Sequence, residues 1–162
     1  MQTYSVIYIG IFIGLAIALL WAAGTDLKYR IISNKLSLAI VGLFCLLAIV
    51  QLAAGAEWKV TLVWPLAAAA IMLLLGAILF AARMMGGGDV KLLAAIALFA
   101  GPGLGLSFIL YVTIAGGLVA LATLLHARIR ALDPKTAKVP YGVAISLGGL
   151  WVCFQRISAI ST

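Results

Sequence analysis

Read for its hydrophobic pattern, the chain divides into long apolar runs separated by short polar ones. The runs fall at about residues 4–23, 36–54, 60–82, 90–100, 104–125 and 141–154. Several reach the roughly 20 residues with which a helix crosses the hydrocarbon core of a bilayer. Pro65 stands near the start of the third run, where a missing N–H matters least. Pro140 stands just ahead of the sixth, a place suited to a helix start. The pattern predicts an all-α integral membrane protein with about six transmembrane helices. One domain over residues 1–162 is expected, because no polar stretch is long enough to fold alone. The first run reads as a retained helix, not a secretory signal: it is too long, and no Lys or Arg precedes Lys28.

Composition agrees. The 162 residues are 66% hydrophobic and 9% charged, with a mean hydropathy of +1.27. A soluble domain carries roughly 25% charged residues. So little polar surface could not cover the chain in water, and membrane lipids are the solvent it is built for.

The net charge of +7 sits in short groups between apolar runs. That is a topology signal and no nucleic-acid face. Lys28, Arg30 and Lys35 lie between the first two runs, and Arg83 and Lys91 between the third and fourth. Arg128, Arg130, Lys135 and Lys138 lie between the fifth and sixth. These connections hold nine of the eleven basic residues; Lys59 and Arg156 are left for the other side. The positive-inside rule then makes the first set cytoplasmic and puts both termini outside.

Gly101-Pro102-Gly103 interrupts the pattern between the fourth and fifth runs. If it ends the fourth helix, residues 89–100 span only about 18 Å, against a core of about 30 Å. Asp89 then lies within the membrane. If the helix runs on, kinked, to about Ser107, Asp89 moves out to the interface. Small residues elsewhere (Gly10, Gly14, residues 67–70, Gly116, Gly117, Gly148, Gly149) suit close helix packing.

Candidate chemistry is sparse. Cys45 and Cys153 lie far apart in apolar runs, form no C-x-x-C pair, and read as small buried side chains, with no metal site or redox pair. His126 reads as an interface residue, and a single histidine supports no serine or cysteine triad. No H-E-x-x-H occurs.

Only four acidic residues exist: Asp26, Glu57, Asp89 and Asp133. Glu57 and Asp133 read as solvated loop residues. Asp26 and Asp89 each lie at the membrane boundary of a helix, with two crossings between them, so both face the same side. Ionisable groups at membrane depth are costly and usually functional. Two carboxylates sharing a site hold one proton between them, which lets one activate a water while the other polarises a carbonyl. The plainer alternative pairs Asp26 with Arg30 one turn on, and Asp89 with Lys91 or Arg83. Gly86-Gly87-Gly88 ahead of Asp89 allows close backbone approach, as an extended peptide requires.

Three stretches then carry a resemblance. Gly86-Gly87-Gly88-Asp89-Val90-Lys91-Leu92 resembles the G-x-G-D motif of type IV prepilin peptidases. The stretch from Asp26 through Arg30 to Ser33-Asn34 resembles their first motif, an Asp with basic residues and then I-P-N. Val139-Pro140-Tyr141-Gly142 resembles their last motif, P-[FY]-G. The resemblance implies the membrane G-x-G-D aspartic protease fold, with Asp26 and Asp89 as catalytic aspartates and no cofactor. It implies supporting roles for Gly86, Gly88, Lys91, Arg30, Asn34 and Pro140. The substrate implied is a prepilin or pseudopilin helix in the bilayer, cut at its cytoplasmic leader, in a bacterial inner membrane. Ser33 stands where the family often has proline. The cysteine-bearing cytoplasmic segment of larger members has no counterpart here, which implies the short, peptidase-only branch of Tad/Flp pilus systems. The rival expectation is a small transporter or assembly scaffold whose aspartates bind a cation or proton.

Overall fold

A computed structural model describes residues 2–129 and 139–161, with side chains described from Ser5 to Ala159 within them. Arg130, Asp133, Lys135 and Lys138, assigned above to the last connection, lie outside the described residues.

Helix α1 spans Gln2–Tyr29, α2 Asn34–Ala53, α3 Trp64–Ala81, α4 Gly87–Ile129 and α5 Tyr141–Ser161. A π-helical turn, Lys59–Val63, runs directly into α3. All five helices are long and apolar enough to cross a membrane. The exposed surface carries large apolar side chains such as Trp21, Leu38, Leu74 and Leu121, as a lipid-facing surface must. This is an all-α membrane protein.

The fourth and fifth apolar runs are two helices that abut within Gly87–Ile129, with no loop between them. They meet at a kink where the backbone of Gly101 is not helical, at φ 58° and ψ −169°. That region is open to essentially no residue but glycine. The chain reverses there: Leu93 from before the break and Val112 and Gly116 from after it face the same cavity against Met72 and Gly76 of α3. In a straight helix Leu93 and Gly116 would stand about 34 Å apart. So α4 consists of two antiparallel helical arms, and the described residues form a bundle of six helical segments.

Arg156 of α5 secures the reversal. Its Nε donates to Phe99 O at 3.2 Å and its Nη2 to Ala100 O at 2.9 Å. These carbonyls end the first arm, where a helix leaves acceptors unpaired and a cation is favoured. The sequence had suggested only an outer-side charge for Arg156.

The core runs where α5 crosses the first arm and α1. Gly149 lies against Leu19 and Ile96, and Gly148 against Phe108 and Val112. Phe99 forms T-shaped pairs with Phe12 and Phe44 at centroid distances of 6.0 and 5.7 Å. Cys153 is buried in this core, as expected, whereas Cys45 is exposed on the outer face of α2. Both are free thiols.

Candidate active site

The site forms at one end of the bundle, where α1 ends and α4 and α5 begin. Asp26 lies in the last turn of α1 and is only 4% exposed. Its Oδ2 accepts the N–H of Val143 at 3.2 Å, and the N–H of Gly142 also acts on it. These are first-turn donors of α5, which have no carbonyl one full turn back to bond; that of Val143 is shared with Pro140 O at 3.3 Å. The carboxylate is therefore held by the backbone of a helix more than a hundred residues away in sequence. Arg30, its partner in the plainer alternative above, has φ 56° and carries the chain out of α1; it makes no close ion pair with Asp26 among the described residues, but its charge still acts on the carboxylate, behind the two backbone N–H groups.

Asp89 sits three residues into the start of α4, half-buried. Its Oδ2 turns back to accept the N–H of Gly86 at 3.2 Å. This is the reciprocal half of a capping box, at the end of the helix where a negative charge is favoured. Neither Lys91 nor Arg83 pairs with it. The charge of Asp26 acts directly on Asp89, so the two carboxyl groups occupy one electrostatic neighbourhood.

Ile32 joins the three segments. It is 8% exposed and lies in the short non-helical stretch between α1 and α2. A Cβ on Gly88 would stand 3.0 Å from Ile32 O and 3.2 Å from its Cβ. A Cβ on Gly142 would stand 2.5 Å from Ile32 Cδ1 and 2.9 Å from Asp26 Oδ2. Glycine at these two positions lets the starts of α4 and α5 close on Ile32, and thereby on Asp26. The glycine run was read as access for a peptide; at Gly88 its use is packing.

The other expected residues divide. Gly86 belongs to the site through its N–H. Pro140 is buried ahead of α5 and sets up the turn that presents Gly142. Lys91 and Asn34 form a separate tie between α4 and α2, Lys91 Nζ donating to Asn34 Oδ1 at 2.9 Å. Two residues past Asp89, Lys91 is rotated about 200° around the helix and points away from it. Asn34 was offered as a helix cap, but the cap of α2 is Ser33, whose Oγ accepts the N–H of Lys35 at 3.2 Å. That fits a serine where related sequences carry proline: the hydroxyl does the capping. Glu57 and His126 are exposed and apart from the site. Among the described residues no group of three or more His, Cys, Asp or Glu side chains is placed to hold a metal.

Ile32 and the N–H of Val143 were not foreseen. The one available signal was Gly142 within its motif, a glycine at a helix start with no turn to explain it.

Residues 13–121 match the model of the type IV leader peptidase family. The chain belongs to that family. The match covers Asp26, Asn34, Gly86, Gly88, Asp89 and Lys91, and stops short of Pro140 and Gly142. No curated protein and no solved structure matches the chain. Membership makes the protein a leader peptidase-like hydrolase of the membrane and favours that expectation over the transporter or scaffold.

Proposed function

We propose that this family member is an aspartic endopeptidase that removes the leader of type IV or Flp-type prepilins or pseudopilins. The observation that supports it best is that Ile32 packs against both Gly88, next to Asp89, and Gly142, which touches Asp26, so that two of only four acidic residues in the chain come to one end of an apolar bundle. In this reading that end faces the cytoplasm of a bacterial inner membrane and both termini lie outside, an orientation that the positive-inside pattern supports.

In this reading the two carboxyl groups share one proton. The ionised carboxyl takes a proton from a water, whose oxygen attacks the scissile carbonyl. The protonated one donates to the carbonyl oxygen, and the pair returns a proton to the leaving amine as the C–N bond breaks. No covalent intermediate and no metal takes part. The peptide enters beside Gly86 and Gly87, and the substrate's apolar helix stays in the bilayer next to the enzyme. Asp26 is the more firmly positioned of the two, through α5; Asp89 is tied only to its own helix start.

The test is cleavage of a co-expressed prepilin by wild type, Asp26→Asn and Asp89→Asn, read as a gel shift at matched membrane abundance. Uncut substrate with both variants is expected. Normal cutting by either one removes the dyad and revives the cation-binding carrier.

A further inference from the structure

The cavity that Leu93 shares with Val112 and Gly116 is a groove between α3 and the second arm of α4, floored by the first arm. Its walls pass the level of both aspartates. On the α3 side, a Cβ on Gly76 would stand 2.8 Å from Cγ1 of Val90, the residue after Asp89. On the other side, a Cβ on Gly116 would stand 3.8 Å from Cβ of Ala144. Ala144 is two residues, about 3 Å, along α5 from Gly142, which touches Asp26. Leu93 in the floor lies one turn past Asp89 on the same face of its helix.

Met85 and Tyr141 stand at the head of the groove. Each adjoins a glycine whose N–H acts on a carboxylate, Gly86 on Asp89 and Gly142 on Asp26. From that level the walls run about 10 Å deeper, from Leu79 to Met72 and from Gly116 to Ile109. The other recesses lead elsewhere. The one between α2 and α3 lies by Lys91, on the side of α4 turned away from Asp89. The cavity around Arg156 and Gly101 is at the opposite end of the bundle. A helix in either could not bring its end to the carboxylates.

The lining favours a peptide helix over a lipid chain. Thr113 is exposed in the wall of the groove. Thr25 and Thr123 satisfy their hydroxyls on a carbonyl of the preceding turn; among the described residues Thr113 makes no such bond. A hydroxyl left unpaired in hydrocarbon is costly, and an acyl chain offers it no partner. A second helix does, which is how threonines join helices within membranes. Gly117, one turn nearer the site, is exposed, and a Cβ there would meet nothing within 4 Å. The wall is cut down to backbone at that level, so another helix can come close.

We propose, resting on the peptidase reading above, that the apolar helix of the prepilin docks in this groove, its leader end over Leu93 beside Asp89 and its flank on Gly117 and Thr113. Steady-state cleavage of full-length prepilin in detergent tests this. Gly117→Leu should raise KM about tenfold, as overfilling a close contact does, with kcat unchanged because the lost binding is uniform along the reaction. Thr113→Val should raise KM about threefold, and Thr113→Ser should keep it at the wild-type value. Gly10→Leu, at an exposed position with open space on α1, should match wild type. Disulfide trapping gives a readout that needs no turnover. Gly117→Cys, combined with Cys45→Ala, Cys153→Ala and Asp26→Asn, should capture single cysteines three or four residues apart on the prepilin helix. An unchanged KM in Gly117→Leu, or trapping no better than from Gly10→Cys, overturns the proposal and leaves the groove to lipid. Should wild type leave prepilin uncut, the peptidase reading fails instead, and the trapping alone decides the groove.

Discussion

Ile32 and Gly142 meet so closely that the Cδ1 of Ile32 lies 2.5 Å from where a Cβ on Gly142 would stand. The contact couples the α1–α2 connection to the start of α5, and the Asp26 carboxylate lies against the same spot. Gly142→Ala must displace either Ile32 or Asp26. We expect it to abolish prepilin cleavage while the protein still inserts. Adding Ile32→Ala to Gly142→Ala should restore thermal stability without restoring cleavage, because the clash with Asp26 Oδ2 remains. Cleavage and heat-inactivation curves in detergent, taken on both variants, check this. Cleavage by Gly142→Ala at wild-type rate would show that the carboxylate position is not critical.

The reversal at Gly101 makes a second expectation. Alanine there has to hold φ 58° with an extended ψ, at about 1–3 kcal/mol. Gly103, two residues on, has open space around its Cβ position and no unusual φ. Gly101→Ala should lower the midpoint of thermal inactivation by several degrees, while Gly103→Ala leaves it nearly unchanged. Arg156→Met should act like Gly101→Ala, since it strips charge-assisted bonds from Phe99 O and Ala100 O, each worth about 1.5–3 kcal/mol. Arg156→Lys should recover part of the loss, because an ammonium can reach one carbonyl but not both with the same fork. Equal effects at Gly101 and Gly103 would mean that the reversal tolerates ordinary backbone.

The depth of Asp89 follows from the same break. The first arm, residues 87–100, measures about 21 Å along its axis, against a hydrocarbon core of about 30 Å. With Gly101 at the far interface, Asp89 sits roughly 12 Å short of the near one. Single cysteines placed from Arg83 to Lys91 in a Cys45→Ala, Cys153→Ala background should react with a membrane-impermeant maleimide at Arg83 and Met84 and become protected towards Gly88. Uniform labelling through position 91 would place Asp89 at the surface.

Much of this architecture was legible in the chain. Long apolar runs against a scarcity of charge fix a membrane bundle, and four acidic residues leave little choice of chemistry. Gly101-Pro102-Gly103 showed where a helix is interrupted. It could not show whether the chain turns back or merely bends, because that depends on α3 and α5 packing against both arms. The hydrogen-bond partners of the carboxylates were hidden for a related reason. Local spacing offered Arg30 to Asp26 and Lys91 or Arg83 to Asp89; Arg30 does act on Asp26 through its charge, but the hydrogen bonds come from the N–H groups of Val143 and Gly86. Spacing along one helix reveals neighbours on that helix only; a donor 117 residues away has no local signature. Ile32 was hidden differently. An isoleucine beside a helix end is unremarkable until two glycines from separate helices are found against it. Arg156 reads as topology because its acceptors are carbonyls, which every residue owns.

The manner in which Asp26 is held bears on how this protein can vary. Its anchor is a peptide N–H, which nineteen of the twenty amino acids would supply equally well at position 143. Substitution there can change the side chain freely and leave the anchor intact; proline alone deletes it. A scan that replaces side chains one at a time would pass over the group that positions the most buried acid among the described residues. The specification lies in the path of the backbone, and the letter written at position 143 is close to immaterial.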